Sequence, residues 1–253
     1  MGSVKLRDNI YWIGVKNPEL KVFDIIMETK KGSTYNAYLI DDEKVAIIDT
    51  VKDGYYEEFK ENIKEIIGDR KIDYIIAQHT ELDHSGSLAK LVTDYPEAKI
   101  ICSRAASIYL KDITNMDLNI QIAPGELSLG KTTLKFIQAP NLHWPDTMFT
   151  YESDTKTLFS CDMYGAFGKM EEHHFDDEMT SEEIEFYETE GIRYYSNVMT
   201  TFTSMLKKAI QKSKEFDIKI IAPGHGPIYR KNPQKIMDDY MRFTQYAVGA
   251  GKN

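Results

Sequence analysis

Apolar residues along the chain fall into short runs between turn signals, interrupted by a few stretches with helical spacing. Residues 8–15 (DNIYWIGV) and 20–28 (LKVFDIIME) read as strands joined at Asn17-Pro18. Residues 34–40 and 44–50 read as two more, turning at Asp41-Asp42-Glu43, and the four together predict an antiparallel meander. In residues 54–67, Tyr55, Phe59, Ile63, Ile66 and Ile67 share one helical face. Residues 72–77 (IDYIIA) then form a buried strand, followed by a helix over 85–95, a strand over 98–102 and a helix over 104–112. That alternation predicts βαβ crossovers. Short strands return near 118–123, 126–129 and 132–138, and residues 147–152 and 156–160 form a hairpin about Ser153-Asp154. A loop over 164–178, a long helical stretch over 181–214 broken near Gly191, a strand over 218–223 and a helix over 233–247 complete the chain. The second half repeats the first in outline. The expected fold is α/β (α+β): an αββα four-layer sandwich, one domain over residues 1–253, with a site between the sheets.

Composition narrows the function. A chain of 253 residues with 42% hydrophobic content can bury a sizeable core. The net charge of -9 argues against sequence-independent nucleic-acid binding, which needs clustered Lys and Arg. No apolar run is long enough to span a membrane, and the N-terminal residues lack the apolar core of a signal segment. Cys102 and Cys161 stand far apart without a CxxC partner, so neither a disulfide framework nor an iron–sulfur cluster is expected, and the expected setting is cytoplasmic.

The candidate chemistry sits at strand ends. His79, Glu81, Asp83 and His84 follow the strand over 72–77, at the carboxyl edge where open α/β sheets carry their sites. In an extended loop, positions 79, 81 and 83 point the same way, and His84 joins if a helical turn starts there. His143, Asp162 and His225 each follow a further strand. Taken singly, Asp83 reads better as a helix N-cap and His84 as a surface residue, while Asp162 reads equally well as a turn cap, His143 as a loop His packing an aromatic and His225 as a turn residue. Together they are too many acids and imidazoles for one volume without cations. Seven ligands exceed one tetrahedral zinc and suit two metals bridged by Asp162. His79, Glu81 and His143 would serve one metal, and Asp83, His84 and His225 the other. This oxygen-rich set favours non-haem iron. Asp49, at the end of the strand over 44–50, is either a polar strand terminus or an acceptor that orients a metal-bound His. His173 and His174 read as structural, or as a lid, and not as ligands.

The string HTELDHSGSL resembles the HxExDH motif of the flavodiiron proteins, a branch of the metallo-β-lactamase superfamily. LHWPDTM, FSCDMYGAFG and APGHGP are similar to that family's later ligand motifs, and the likeness covers essentially the whole chain. Hydrolases of the superfamily carry HxHxDH, so Glu81 in place of the second His marks the diiron branch. The resemblance implies a metallo-β-lactamase-like fold and two irons with an oxo, hydroxo, water or dioxygen bridge. It also implies a head-to-tail homodimer and reduction of O2 to water or of NO to N2O. RYYSN is similar to a stretch that sets a tyrosine near the irons, here Tyr194 or Tyr195. Whether His84 binds metal or swings away stays open.

Members of the family normally continue into a flavodoxin domain that binds FMN. This sequence ends at Asn253 with no flavodoxin-type phosphate loop and no rubredoxin CxxC pair, so no FMN is expected within it. It thereby resembles the flavin-free oxygen-binding diiron proteins. The leading expectation is an O2 (or NO) binding protein serving as an oxygen sensor coupled to a chemotaxis receptor. The alternative is a reductase domain fed by a separate or truncated flavodoxin acting as redox partner. A zinc hydrolase is the remote third reading.

Overall fold

Two β-sheets face each other in the computed structural model of the chain, which describes residues 2–24 and 26–249. The first has seven strands in the order Val4–Arg7, Ile10–Trp12, Tyr38–Asp41, Val45–Ile48, Tyr74–Ala77, Lys99–Cys102 and Ile120–Ile122. Pairing is antiparallel up to Val45–Ile48 and parallel from there on. Parallel neighbours need crossovers, and the helices Tyr56–Ile67, Leu88–Asp94 and Arg104–Thr114 supply them. The second sheet has five strands: Glu126–Ser128, Thr133–Gln138, Met148–Glu152, Thr157–Phe159 and Ile220–Ala222, the last joined in parallel.

Alternation along the strands produces the layering. Ile48, Ile76 and Ile101 fall in one buried cluster with Leu134, Phe159 and Ile220 of the opposite sheet. Their neighbours Ile47, Ile75 and Ile100 fall in another, with Phe59 and Ile63 of the helix Tyr56–Ile67. On the far side, Leu158 and Ile221 join Leu206 and Ile210 of the helix Thr203–Ser213 in that same cluster. Each sheet is apolar on both faces, as strands buried on both sides must be. Each fully buried Ile or Leu contributes about 1.5–3 kcal/mol. The result is the expected αββα sandwich.

Three segments differ from the sequence pattern. Residues 20–28 make a small hairpin, Val22–Phe23 against Met27–Glu28, and not one strand. Asp24 takes a positive φ of 46° at its turn, so Phe23 faces inward while Val22 and Ile26 stay exposed. The helix expected over 85–95 starts earlier, as Leu82–Ser85, and resumes as Leu88–Asp94. The long helical stretch opens on a capping box between Thr180 and Glu183. It breaks at Tyr195–Met199, a π turn followed by the 3-10 turn Thr200–Phe202, and not at Gly191. A π turn carries an extra residue and rotates the side chains that follow it. Among the described residues no helix is long and apolar enough to cross a membrane.

Candidate metal centre

All seven proposed ligands meet at one edge of the sandwich. His79 follows the strand Tyr74–Ala77, and Glu81 precedes the short helix Leu82–Ser85. Asp83 and His84 lie within that helix, where successive side chains turn by about 100°. The start of a helix at Leu82 therefore parts the motif. His79 and Glu81 face one way, and Asp83 and His84 the other. His143, Asp162 and His225 arrive on loops after Thr133–Gln138, Thr157–Phe159 and Ile220–Ala222.

The distances sort these side chains into two groups. Glu81 Oε2 lies 2.9 Å from His143 Nε2 and 3.2 Å from His79 Nε2. Asp162 Oδ2 lies 3.4 Å and 3.3 Å from the same two nitrogens. On the other side, Asp162 Oδ1 lies 2.9 Å from His84 Nε2 and 3.3 Å from His225 Nε2. Asp83 approaches those nitrogens to 3.6 Å and 3.3 Å. Atoms bound to one metal at roughly 2.0–2.2 Å, at angles between octahedral and tetrahedral, stand about 3.0–3.5 Å apart. Both groups have that spacing, and each uses a different oxygen of Asp162.

The donor set also fits a metal chemically. Both Asp83 oxygens and Asp162 Oδ2 are buried without a hydrogen-bond partner. A carboxylate left so costs several kcal/mol unless a cation meets it. The far sides of two rings are anchored. His225 Nδ1 donates to the Thr34 carbonyl at 2.6 Å, which leaves Nε2 free as a ligand atom. His79 Nδ1 faces Asp146 Oδ1 at 3.5 Å.

Asp146 is a residue that the sequence pattern did not single out. Its one signal is an acid in a loop between two apolar strands, and both its oxygens are buried without a hydrogen bond. Asp49 receives the Gln78 backbone N–H at 2.8 Å and its side-chain amide at 3.0 Å. It also lies within 4.8 Å of a His84 ring nitrogen. Asp49 therefore braces the loop before His79 as well as backing His84. His173 pairs with Glu183 at 3.0 Å. His174 packs edge-on against Trp12 at 4.7 Å. Neither reaches the cluster.

The two tyrosines part at the π turn. Tyr194 donates to Asp162 Oδ1 at 3.1 Å, and its ring lies 5.8 Å from that of His225. Tyr195 bonds Thr203 Oγ1 instead and packs against Tyr240 and Phe243. Of the two candidates, Tyr194 faces the site and Tyr195 does not.

Without metal, protons take the cation's place. Burial works against charge on His143, yet the facing carboxylates of Asp162 and Glu81 push it up to about 9. Burial opposes charge on His79, His84 and His225 too, and neighbouring carboxylates raise all three. Burial resists ionisation of Asp83 and Asp162, but the imidazoles hold Asp83 down to about 2 and Asp162 well below the usual carboxylate range. At pH 7 the metal-free His143 is therefore protonated, the other three imidazoles are shifted in the same direction, and metal must displace the protons they hold. Binding of ferrous or zinc ion should release protons, with affinity rising as pH climbs toward 9. Calorimetric titration in buffers of different ionisation enthalpy measures this, and a heat independent of buffer contradicts it.

The model of the ODP family beta lactamase matches residues 34–226. The chain is 42% identical over 235 residues to the flavo-diiron protein FprA2 of Clostridium acetobutylicum, covering 90% of this chain and 57% of that one. It is 36% identical to a nitric oxide reductase of Moorella thermoacetica, covering 98% and 62%. Among solved structures it superposes on the rubredoxin oxygen:oxidoreductase of Desulfovibrio gigas with a TM-score of 0.89 at 31% identity, covering 97% and 61%. The chain thus spans roughly three-fifths of each of these relatives.

Proposed function

Because the chain belongs to the ODP family of beta lactamases, the metallo-β-lactamase-like flavodiiron proteins, we propose that it is the diiron core of a reductase acting on NO or O2. The observation that carries this reading is the division of Asp162: one oxygen faces His79, Glu81 and His143, the other faces His84, His225 and Asp83. Those seven residues would hold two irons, and a ferrous pair would supply two electrons to a bound small molecule. Reduction of two NO to N2O and water takes two electrons and two protons; O2 to two waters takes four of each.

The protein's own contributions are to exclude water and to hold a proton nearby. Phe23 stands 5.1 Å from the His225 ring, Trp144 5.4 Å from His79 and Phe202 6.4 Å from His143. These aromatic walls suit small apolar ligands. Burial and the charge of Asp162 raise the Tyr194 hydroxyl well above the usual phenol range. It therefore stays protonated at neutral pH and can donate to a ligand oxygen.

The relatives' names support a reductase over the oxygen sensor coupled to a chemotaxis receptor that the resemblance to flavin-free oxygen-binding diiron proteins had favoured. Their flavo- and rubredoxin names also support electron delivery through a flavin and a redox partner, whether carried on this polypeptide or apart from it. The test is to mix the iron-loaded, reduced protein with NO without oxygen. About one N2O per two NO should form in a single turnover. NO recovered unchanged on purging supports the binding-only reading instead.

A hydrogen bond to a charged group is worth about 1.5–3 kcal/mol. Tyr194→Phe should therefore slow N2O formation by about 10- to 100-fold, whereas Tyr195→Phe should leave it within about twofold. Equal effects of the two variants contradict the assignment of Tyr194.

A further inference from the structure

We propose that Gly224 is the positioning residue for His84: the missing side chain leaves the space in which the His84 ring reaches the second metal position. This rests on reading Asp83, His84 and His225 as ligands. A Cβ built on Gly224 would stand 2.6 Å from His84 Cε1 and 3.2 Å from the Cys161 carbonyl carbon and oxygen. Cε1 is bonded to Nε2, the nitrogen that lies 2.9 Å from Asp162 Oδ1. Restoring an ordinary carbon–carbon contact of about 3.5–4.0 Å needs a ring displacement of about 1 Å. A metal–nitrogen bond of about 2.0–2.1 Å does not survive that shift.

Either the ring or the backbone must give way, and the backbone is held from several directions. Gly224 N donates to the Cys161 carbonyl at 2.5 Å, and the Gly224 carbonyl accepts from Asn36 N at 2.8 Å. The Pro223 carbonyl accepts from Tyr38 at 2.6 Å and from the Asn36 amide at 2.9 Å. The Gly226 carbonyl accepts from the same amide at 2.9 Å, and Gly226 N donates to Thr34 Oγ1 at 2.8 Å. The His225 ring itself is tied to the Thr34 carbonyl. The His84 ring, which meets Asp162 Oδ1 at 2.9 Å and the His225 ring at 4.9 Å, is the side chain that the added carbon strikes, so its position is what must change. Unlike Gly226, whose φ is 74°, Gly224 is not at positive φ. Its glycine therefore serves space, not backbone conformation.

The test is a double-mutant cycle on iron-loaded and metal-free protein. Gly224→Ala should bind about one iron per chain in place of two, as His84→Ala should, and the Mössbauer contribution of one site should fade. In metal-free protein, Gly224→Ala should lower the unfolding temperature, and that loss should shrink by more than half when His84 is already alanine. Two irons retained at unchanged affinity in Gly224→Ala, or an equal thermal loss in both backgrounds, overturns the proposal. If Gly224→Ala does not fold, recovery of folding in the Gly224→Ala/His84→Ala variant supports the proposal, and failure of that variant to fold overturns it. Two irons kept by His84→Ala would refute the ligand reading, while the thermal cycle still decides whether the glycine and the ring compete for space.

Discussion

Asp162→Ala should empty both metal positions, whereas Glu81→Ala should empty only one. Asp162 is buried, and its two oxygens lie 2.9–3.4 Å from four imidazole nitrogens drawn from three segments of the chain. Its removal takes a ligand from each metal and leaves the imidazoles without their shared counter-charge. Breaking a buried charge network by deleting one partner costs about 3–5 kcal/mol. That corresponds to a fall in affinity of about 100-fold or more at each position. Among the described residues the Glu81 carboxylate pairs with His79 and His143 and with neither His84 nor His225, so Asp83, His84, His225 and Asp162 remain for the other metal. Metal analysis of the purified variants and competition with a chelator measure both outcomes. Two metals kept by Asp162→Ala, or none kept by Glu81→Ala, contradict the assignment.

Asn36→Ala should be the most destabilising single change outside the metal ligands. Asn36 is 1% exposed and joins the two sheets. Its amide donates to the Pro223 and Gly226 carbonyls, both at 2.9 Å, and its oxygen accepts from the Trp12 indole at 2.8 Å. Truncation leaves the Trp12 indole N–H and the Gly226 carbonyl buried and unpaired, at about 1–3 kcal/mol each, while the Pro223 carbonyl keeps the Tyr38 hydroxyl. For a chain of this size that lowers the unfolding temperature by roughly 5–20 °C. The loop it releases carries His225, so affinity for the second metal should fall as well. Thermal unfolding of the metal-free protein gives the answer. A drop of less than about 3 °C means that the loop is held by other bonds.

The layering and the ligands were legible because each rests on a strong local rule. Ile47 and Ile48, Ile75 and Ile76, Ile100 and Ile101 are adjacent pairs, and a strand sends neighbours to opposite faces. Seven acids and imidazoles at strand ends had few partners other than cations. What the sequence hid depends on where chain segments turn. The split of Glu81 and Asp83 between two metals was expected, but the helix start at Leu82 that makes it was not, since an extended loop would point positions 79, 81 and 83 the same way. The π turn at Tyr195 decides which tyrosine faces the site, and one-residue rotations of that kind leave no mark in hydrophobic spacing. Asp24 turns residues 20–28 into a hairpin although their apolar content suits a strand. Asp146 was hidden because its partner, His79, lies far away in sequence.

The central claim is that side chains from separate strand ends hold two metals through a single shared carboxylate. Anomalous diffraction at the iron edge, on crystals of iron-loaded protein, tests it most directly. The account predicts two iron peaks about 3.5–4 Å apart on either side of Asp162. One should lie among His79, Glu81 and His143, the other among Asp83, His84 and His225. A lone peak, or iron bound away from Asp162, would contradict it.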